Sequence, residues 1–259
     1  MNLFQIKSFL QHWLYKVDEH SIHSPFFFDL YTKVIKPKSP INGVDEIEAL
    51  RLKLLTSQEI VTVKDLGAPS KHFSSDKRMI AQIAKTSLAP IEMTQLLYRL
   101  AEYMDAEQIV ELGTSMGVTA LYFAKKSNAT VNTFEGNAAL INIAKTNFEC
   151  FDVKNVRLIE GLIENTLPEF IQTNRKIDFV LMDANHQYEP TMYYFQEIVN
   201  RMAENGVVVV DDIHSSKEMA QAWKEIKSHE LVYASVDLYR CGLVFFDPAL
   251  NKQHYICSW

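Results

Sequence analysis

Between residues 106 and 228 short apolar runs alternate with helical stretches, and this alternation limits the fold more than any other feature. AEQIVELG, TVNTFEG, VRLIEG, IDFVLMDA and GVVVVDD read as strands. VTALYFAKKS, NAALINIAKTNFECF, LPEFIQTN, EPTMYYFQEIVNRM and SKEMAQAWKEIKS follow them in turn as helices. Such alternation predicts parallel strands with helices packed on both faces of the sheet. The valines Val207 to Val210 show no polar alternation, as expected of a strand covered on both sides. The expected fold is a doubly wound, mostly parallel α/β sheet. Two later strands, LVYASVDLY and CGLVFFD, lie too close together for a helical crossover. They are expected to pair antiparallel at one edge.

The earlier part of the chain has a different pattern. FLQHWLYKV, PFFFDLYTKVI and VDEIEALRLKLLTSQ carry apolar residues at helical spacing. Residues 61–78 show little periodicity and read as a loop, the best candidate for a boundary. The expected division is a helical extension over residues 1–75 and an α/β domain over residues 76–259. The extension carries a dense aromatic set, Trp13, Tyr15, Phe26, Phe27 and Phe28. It reads as a cap on the domain, or more sharply as a substrate lid or a surface for a homodimer. His20, Ser21, His23 and Ser24 are polar residues in this apolar setting and are candidates to reach a site.

Charge and composition exclude several classes. The net charge is −6, which argues against a phosphate backbone as the main partner, because that binding needs clustered Lys and Arg. Cys150, Cys241 and Cys257 are too widely spaced for a metal-ligand pair, and a reducing, cytoplasmic compartment is expected. No apolar run approaches the roughly 18 residues of a membrane span, and Gln, Lys and His interrupt the N-terminal stretch before a signal-peptide core forms. The expected partner is a small molecule, with neither nucleic acid nor membrane.

In open parallel sheets, ligands bind at the carboxyl ends of the strands. All five core strands end there in an acid: Glu111, Glu135, Glu160, Asp183, and Asp211 with Asp212. Four of the eight glycines, Gly113, Gly117, Gly136 and Gly161, cluster at the same ends. The first end, VELGTSMGVTA, is a strand, a glycine turn and a helix start. It lacks the G-x-G-x-x-G of a dinucleotide site and the G-K-[S/T] of a P-loop. Glu111 would repel a pyrophosphate and suits a ligand with positive charge. Glu135 is placed to bind the hydroxyls of a ribose, or else to cap the helix that follows. Gly161 and Leu162 are placed to flank an adenine. Together these ends describe an adenosine carrying a cationic group.

ELGTSMG resembles motif I of class I S-adenosylmethionine-dependent methyltransferases, and most of all that of small-molecule O-methyltransferases of the catechol and caffeoyl-CoA type. The likeness runs from about Ser87 to the C-terminus. SLAPIEMTQLL resembles the helix before motif I, FVLMDANHQY the strand-four motif, GVVVVDD the strand-five motif, and the final pair with GLVFF the reversed last strand. The resemblance implies a seven-stranded, Rossmann-like sheet with its last strand antiparallel. It assigns Glu111, Gly113, Thr114, Ser115, Gly117 and Thr119 to the methionine end and loop of the cofactor, Glu135 with Gly136 to the ribose, Gly161 and Leu162 to the adenine, and Asp183 to the reaction centre. In metal-dependent members, an acid ending strand four and an acid–Asn pair ending strand five hold a divalent cation. The matching residues here are Asp183, Asp211 and Asp212, and their hard oxygens suit Mg²⁺, Mn²⁺ or Ca²⁺. Asp212 departs from the usual Asn. The D-x-x-H-x-Y pattern from Asp183 to Tyr188 makes His186 a candidate general base, since an imidazole ordinarily titrates near 6.5. His214 is expected to stand behind the acids, and Ser215 or Ser216 to cap the next helix.

The implied activity is methyl transfer to a hydroxyl of a small molecule, with a metal as an optional assistant. An N-methyltransferase is the less favoured enzyme, because no N-P-P-Y-like motif ends strand four. A non-catalytic S-adenosylmethionine-binding scaffold or sensor has no need of Asp183, His186, Asp211 and Asp212. A nicotinamide dehydrogenase lacks its third glycine.

Overall fold

A computed structural model describes residues 3–37, 39–63, 76–173 and 176–259. Its centre is an eight-stranded sheet in the order β10-β8-β9-β7-β6-β3-β4-β5. The strands are β3 (Gln108–Leu112), β4 (Thr130–Glu135), β5 (Val156–Glu160), β6 (Ile177–Met182), β7 (Met202–Asp211), β8 (Ala234–Asp237), β9 (Cys241–Phe245) and β10 (Gln253–Ile256). Helices α6 (Val118–Ala124), α7 (Ala138–Cys150), α8 (Ile163–Thr173), α9 (Tyr188–Val199) and α10 (Lys217–Ile226) connect them. Only β9 runs against its neighbours, β7 and β8. The expected antiparallel pair therefore exists, but β10 adds an eighth strand outside it, parallel to β8.

The unbroken apolar runs have a direct cause. Side chains alternate across a strand, and both faces of this sheet are covered. Val207 and Val209 enter one hydrophobic cluster, whereas Val208 and Val210 enter the other. Phe179 and Leu181 divide from Val180 and Met182 in the same way. Helix α5 (Ile91–Tyr103) serves the first cluster with Met93, Leu96, Leu97 and Leu100, a helical stripe. Helix α10 serves the second with Met219, Trp223 and Ile226.

The N-terminal part forms α1 (Leu3–Tyr15), α2 (Pro25–Leu30) running into a π turn, and α3 (Asp45–Thr56). Most of the stretch expected as a loop, residues 64–75, lies outside the described residues. Its flanks pair as a short antiparallel sheet, β1 (Ile60–Thr62) with β2 (Lys77–Met79), which leads into α4 (Ile80–Ser87). Phe26 and Phe27 meet Phe245 edge-on, with ring centroids 5.4 and 5.6 Å apart. Ile22, Leu30 and Val34 join the same cluster as the sheet. Helix α1 docks differently: it buries its polar residues Ser8 and His12 and turns Leu3, Leu10, Trp13 and Leu14 outward. Among the described residues no helix is long and apolar enough to cross a membrane.

Candidate active site

The chain leaves β3 toward β4 and β5 on one side and returns to β6 and β7 on the other, so a crevice opens between the ends of β3 and β6. A cavity of about 430 Å³ occupies this switch point. Gly113, Ser115, Glu135, Gly136, Leu162, Asp183, His186, Asp211 and Asp212 all line it. Glu111, Thr114, Gly117, Thr119 and Gly161 are not among its lining residues.

Close approach of two strand ends shapes the glycine turn. Gly113 has φ +107°, and a Cβ there would lie 2.2 Å from the Asp183 carbonyl oxygen. Ser115 follows at φ +51°, and its Oγ lies 2.8 Å from that of Ser87. Gly117 opens α6 at φ +82°, and a Cβ there would strike the Phe148 ring. The missing side chain leaves room for that ring behind the loop.

The two acids ending β3 and β4 have different roles. Glu135 accepts the Ser115 N–H at 2.9 Å and the Asn137 N–H at 2.8 Å, one on each oxygen. The Gly136 N–H also favours the charged form of Glu135; a carboxylate has about four lone-pair sites, so Glu135 can tie the loop and still face the cavity. Burial raises its pKa, against the pull of the Asn137 and Ser115 N–H groups. Asn137 itself caps α7. Glu111 is fully buried below the loop. It accepts a 2.5 Å hydrogen bond from the Thr133 hydroxyl, which lies 2.5 Å from the Thr114 hydroxyl. Burial pushes its pKa up to about 8, although the Thr133 bond opposes this. Folded protein therefore holds a proton that unfolded protein releases between about pH 4.5 and 8. Stability should fall as pH rises through that window. Glu111→Gln should flatten the slope and add stability at pH 8, as urea unfolding at pH 5 and 8 would show. An unchanged slope would refute this.

At the ends of β6 and β7 the backbone is held in the left-handed region, at Asn185 (φ +63°), His186 (φ +39°) and Asp212 (φ +55°). Non-glycine residues are uncommon there, and such strain concentrates at functional sites. His186 Nε2 lies 3.4 Å from Asp183 Oδ1. Asn185 donates to the Tyr194 hydroxyl at 2.7 Å. Burial, with Asp211 and Asp212 nearby, holds the Asp183 carboxyl well above the usual range. Burial and Asp211 also raise Asp212. Asp211, 2 % exposed, is paired with Arg240.

The neighbouring groups are placed as follows. His214 does not face the acids: its Nε2 lies 2.9 Å from Asp237 on β8. Ser216, not Ser215, caps α10 by accepting the Met219 N–H at 3.1 Å. Glu160 pairs with Lys145 at 2.6 Å. His20, Ser21, His23 and Ser24 are not among the cavity's lining residues. Ser87, Thr133 and Arg240 were not anticipated from the sequence, although Ser87 falls in the SLAPIEMTQLL stretch.

Residues 110–213, from β3 to just beyond the acids of β7, match the family model described as a methyltransferase domain. That stretch is similar to methyltransferase domains. No curated protein matches the chain in sequence, but its fold recurs in solved structures. An O-methyltransferase from Bacillus cereus in complex with SAH is 16% identical with a TM-score of 0.55, over 83% of this chain and 93% of that one. SAH-bound methyltransferase PaMTH1 from Podospora anserina is 16% identical with a TM-score of 0.56, over 82% and 99%. The O-methyltransferase TomG from Streptomyces achromogenes, involved in tomaymycin synthesis and in complex with SAM, is 19% identical with a TM-score of 0.56, over 62% and 82%. At these identities the likeness is one of fold. The sheet is the seven-strand arrangement expected, with β10 added.

Proposed function

We propose that this protein is an S-adenosylmethionine-dependent O-methyltransferase acting on a hydroxyl of a small molecule. The observation that carries this reading is the convergence of Glu135, the Gly113 turn and the Asp183–His186 pair on one cavity at the switch point. Two of the structures with this fold are O-methyltransferases bound to SAH or SAM. The cavity residues fit such a cofactor. Glu135 keeps lone pairs for ribose hydroxyls, Leu162 and Leu140 offer apolar surface, and the acids suit a positive charge. When bound, S-adenosylmethionine supplies an electrophilic methyl group on a sulfonium. His186 takes the proton of the acceptor hydroxyl, and Asp183 holds the imidazole in place for that transfer. Val63, Arg78 and Ile83 also line the cavity, so the end of the N-terminal extension and the elements after it shape the acceptor pocket.

A divalent metal is the optional part of this reading, and the residues do not fit it well. Both oxygens of Asp211 already bond to Arg240. Among the described residues no group of three or more His, Cys, Asp or Glu is arranged to hold an ion.

Calorimetric titration of S-adenosylhomocysteine, followed by methyl transfer to a panel of hydroxylated and aminated acceptors, tests the proposal. Saturable binding with transfer to hydroxyls is expected. Binding without transfer would favour a sensor, and transfer to amines an N-methyltransferase.

A further inference from the structure

We infer that Arg240 is the built-in cation of this site, standing where a divalent metal would otherwise balance Asp183, Asp211 and Asp212. The inference rests on the methyltransferase reading and deepens it: the acceptor is engaged through a single hydroxyl, without chelation. Arg240 Nε lies 3.3 Å from Asp211 Oδ1 and Nη2 lies 3.1 Å from Oδ2. This side-on fork uses both carboxylate oxygens, the planar match in which a guanidinium surpasses an ammonium.

The fold holds the fork in place. Asp211 of β7 is the register partner of Cys241 of β9, so the residue before Cys241 stands beside the strand end. The turn between β8 and β9 is closed by Leu238 N–H to Cys241 O at 2.9 Å and Arg240 N–H to Leu238 O at 2.9 Å. Tyr239 completes it at φ +68°. The Ile213 N–H then donates to the Arg240 carbonyl at 3.2 Å, tying the turn to the chain just past the acids. Arg240 also lines the cavity, with a third of its side chain exposed.

A divalent ion bound through Asp211 would have to share its oxygens with two charge-assisted hydrogen bonds and would sit against a fixed positive charge. Removing the partner of a buried carboxylate is costly. The arrangement therefore neutralises Asp211 without a metal. It leaves no Lewis acid to lower the pKa of the acceptor hydroxyl, and proton removal falls to His186. Catechols and vicinal diols lose the advantage that chelation would give them.

Mn²⁺ titrated by calorimetry into protein saturated with S-adenosylhomocysteine tests this, with Arg240→Met alongside. Wild type should show no saturable binding up to millimolar Mn²⁺, and its methyl transfer should be unchanged by EDTA. Arg240→Met frees Asp211 and should gain Mn²⁺ binding. One saturable Mn²⁺ site on wild type, lost in Asp211→Asn, would overturn the inference. A folded Arg240→Met with no gain would refute the claim that Arg240 is what keeps a metal out. Wild type alone decides the main point if the variant does not fold. Failure of S-adenosylhomocysteine itself to bind would count against the methyltransferase reading, a separate and visible result.

Discussion

Gly113→Ala should cost about 3 kcal/mol of stability or more and weaken S-adenosylhomocysteine binding by at least ~100-fold. Left-handed strain on a non-glycine residue accounts for about 1–3 kcal/mol. The rest comes from position. An alanine Cβ would sit 2.2 Å from the Asp183 carbonyl oxygen and 3.0 Å from its carbonyl carbon. That oxygen is backbone, so no rotamer change relieves the clash. The Asp183 N–H already donates to Leu112 O at 2.9 Å, which fixes the end of β6 against β3. Either the two strand ends part or the turn lifts, and both changes distort the cavity between Ser115 and Asp183. Gly43→Ala is the control. Gly43 also has positive φ, at +68°, but its Cβ would meet only the Lys125 ammonium, at 3.1 Å, the movable end of a flexible side chain. It should lose about 1 kcal/mol by the same backbone strain and bind S-adenosylhomocysteine like wild type. Urea unfolding and calorimetry on both variants separate strain from site. Equal binding losses in the two would sink the argument.

The same backbone detail shows what the sequence can and cannot convey. Alternating apolar runs and helices revealed the sheet, because a strand covered on both faces must be apolar at odd and even positions alike. Val207 to Val210 show this directly. Acids at strand ends pointed to the edge of the sheet where the cavity lies, because the chain order brings those ends together. The division of labour among the acids was not legible. Glu111 and Glu135 end neighbouring strands, yet one is sealed beneath the loop and the other faces the cavity. Register decides it: Glu111 stands beside Thr133, whose hydroxyl captures it, whereas Glu135 lies beyond the end of β3, where the loop's N–H groups reach it. Arg240 was hidden for a similar reason. It precedes Cys241 in a turn, and only the pairing of β7 with β9 brings it to Asp211, 29 residues earlier. Strand β10 escaped notice because QHYI is short and half-exposed, without a clear alternation. That Gly117 leaves space for the Phe148 ring is packing that spacing alone cannot convey.

His186→Ala should lower kcat by about 10²- to 10⁴-fold, the range for loss of a general base, while the affinity for S-adenosylhomocysteine stays within about twofold. The imidazole is well placed for this role. Its Nε2 lies 3.4 Å from Asp183 Oδ1, and it lines the same cavity as the Gly113 turn. The left-handed backbone at Asn185 and His186 aims this short segment, and Asn185 is anchored by its bond to the Tyr194 hydroxyl. With Asp211 held by Arg240, the His186 imidazole is the group beside the acids that this reading assigns to accept the proton. Asp183 and Asp212 have raised pKa values, but both adjoin other acids, so a proton taken there is shared within the cluster. Without His186 the acceptor must lose its proton to solvent. The rate of the variant should then climb with pH toward the acceptor's own ionisation, and added imidazole should restore part of it. A purely structural histidine would instead weaken cofactor binding or lower stability, and neither pH nor imidazole would recover the rate. An unchanged kcat would remove His186 from the chemistry and return proton transfer to the carboxylates.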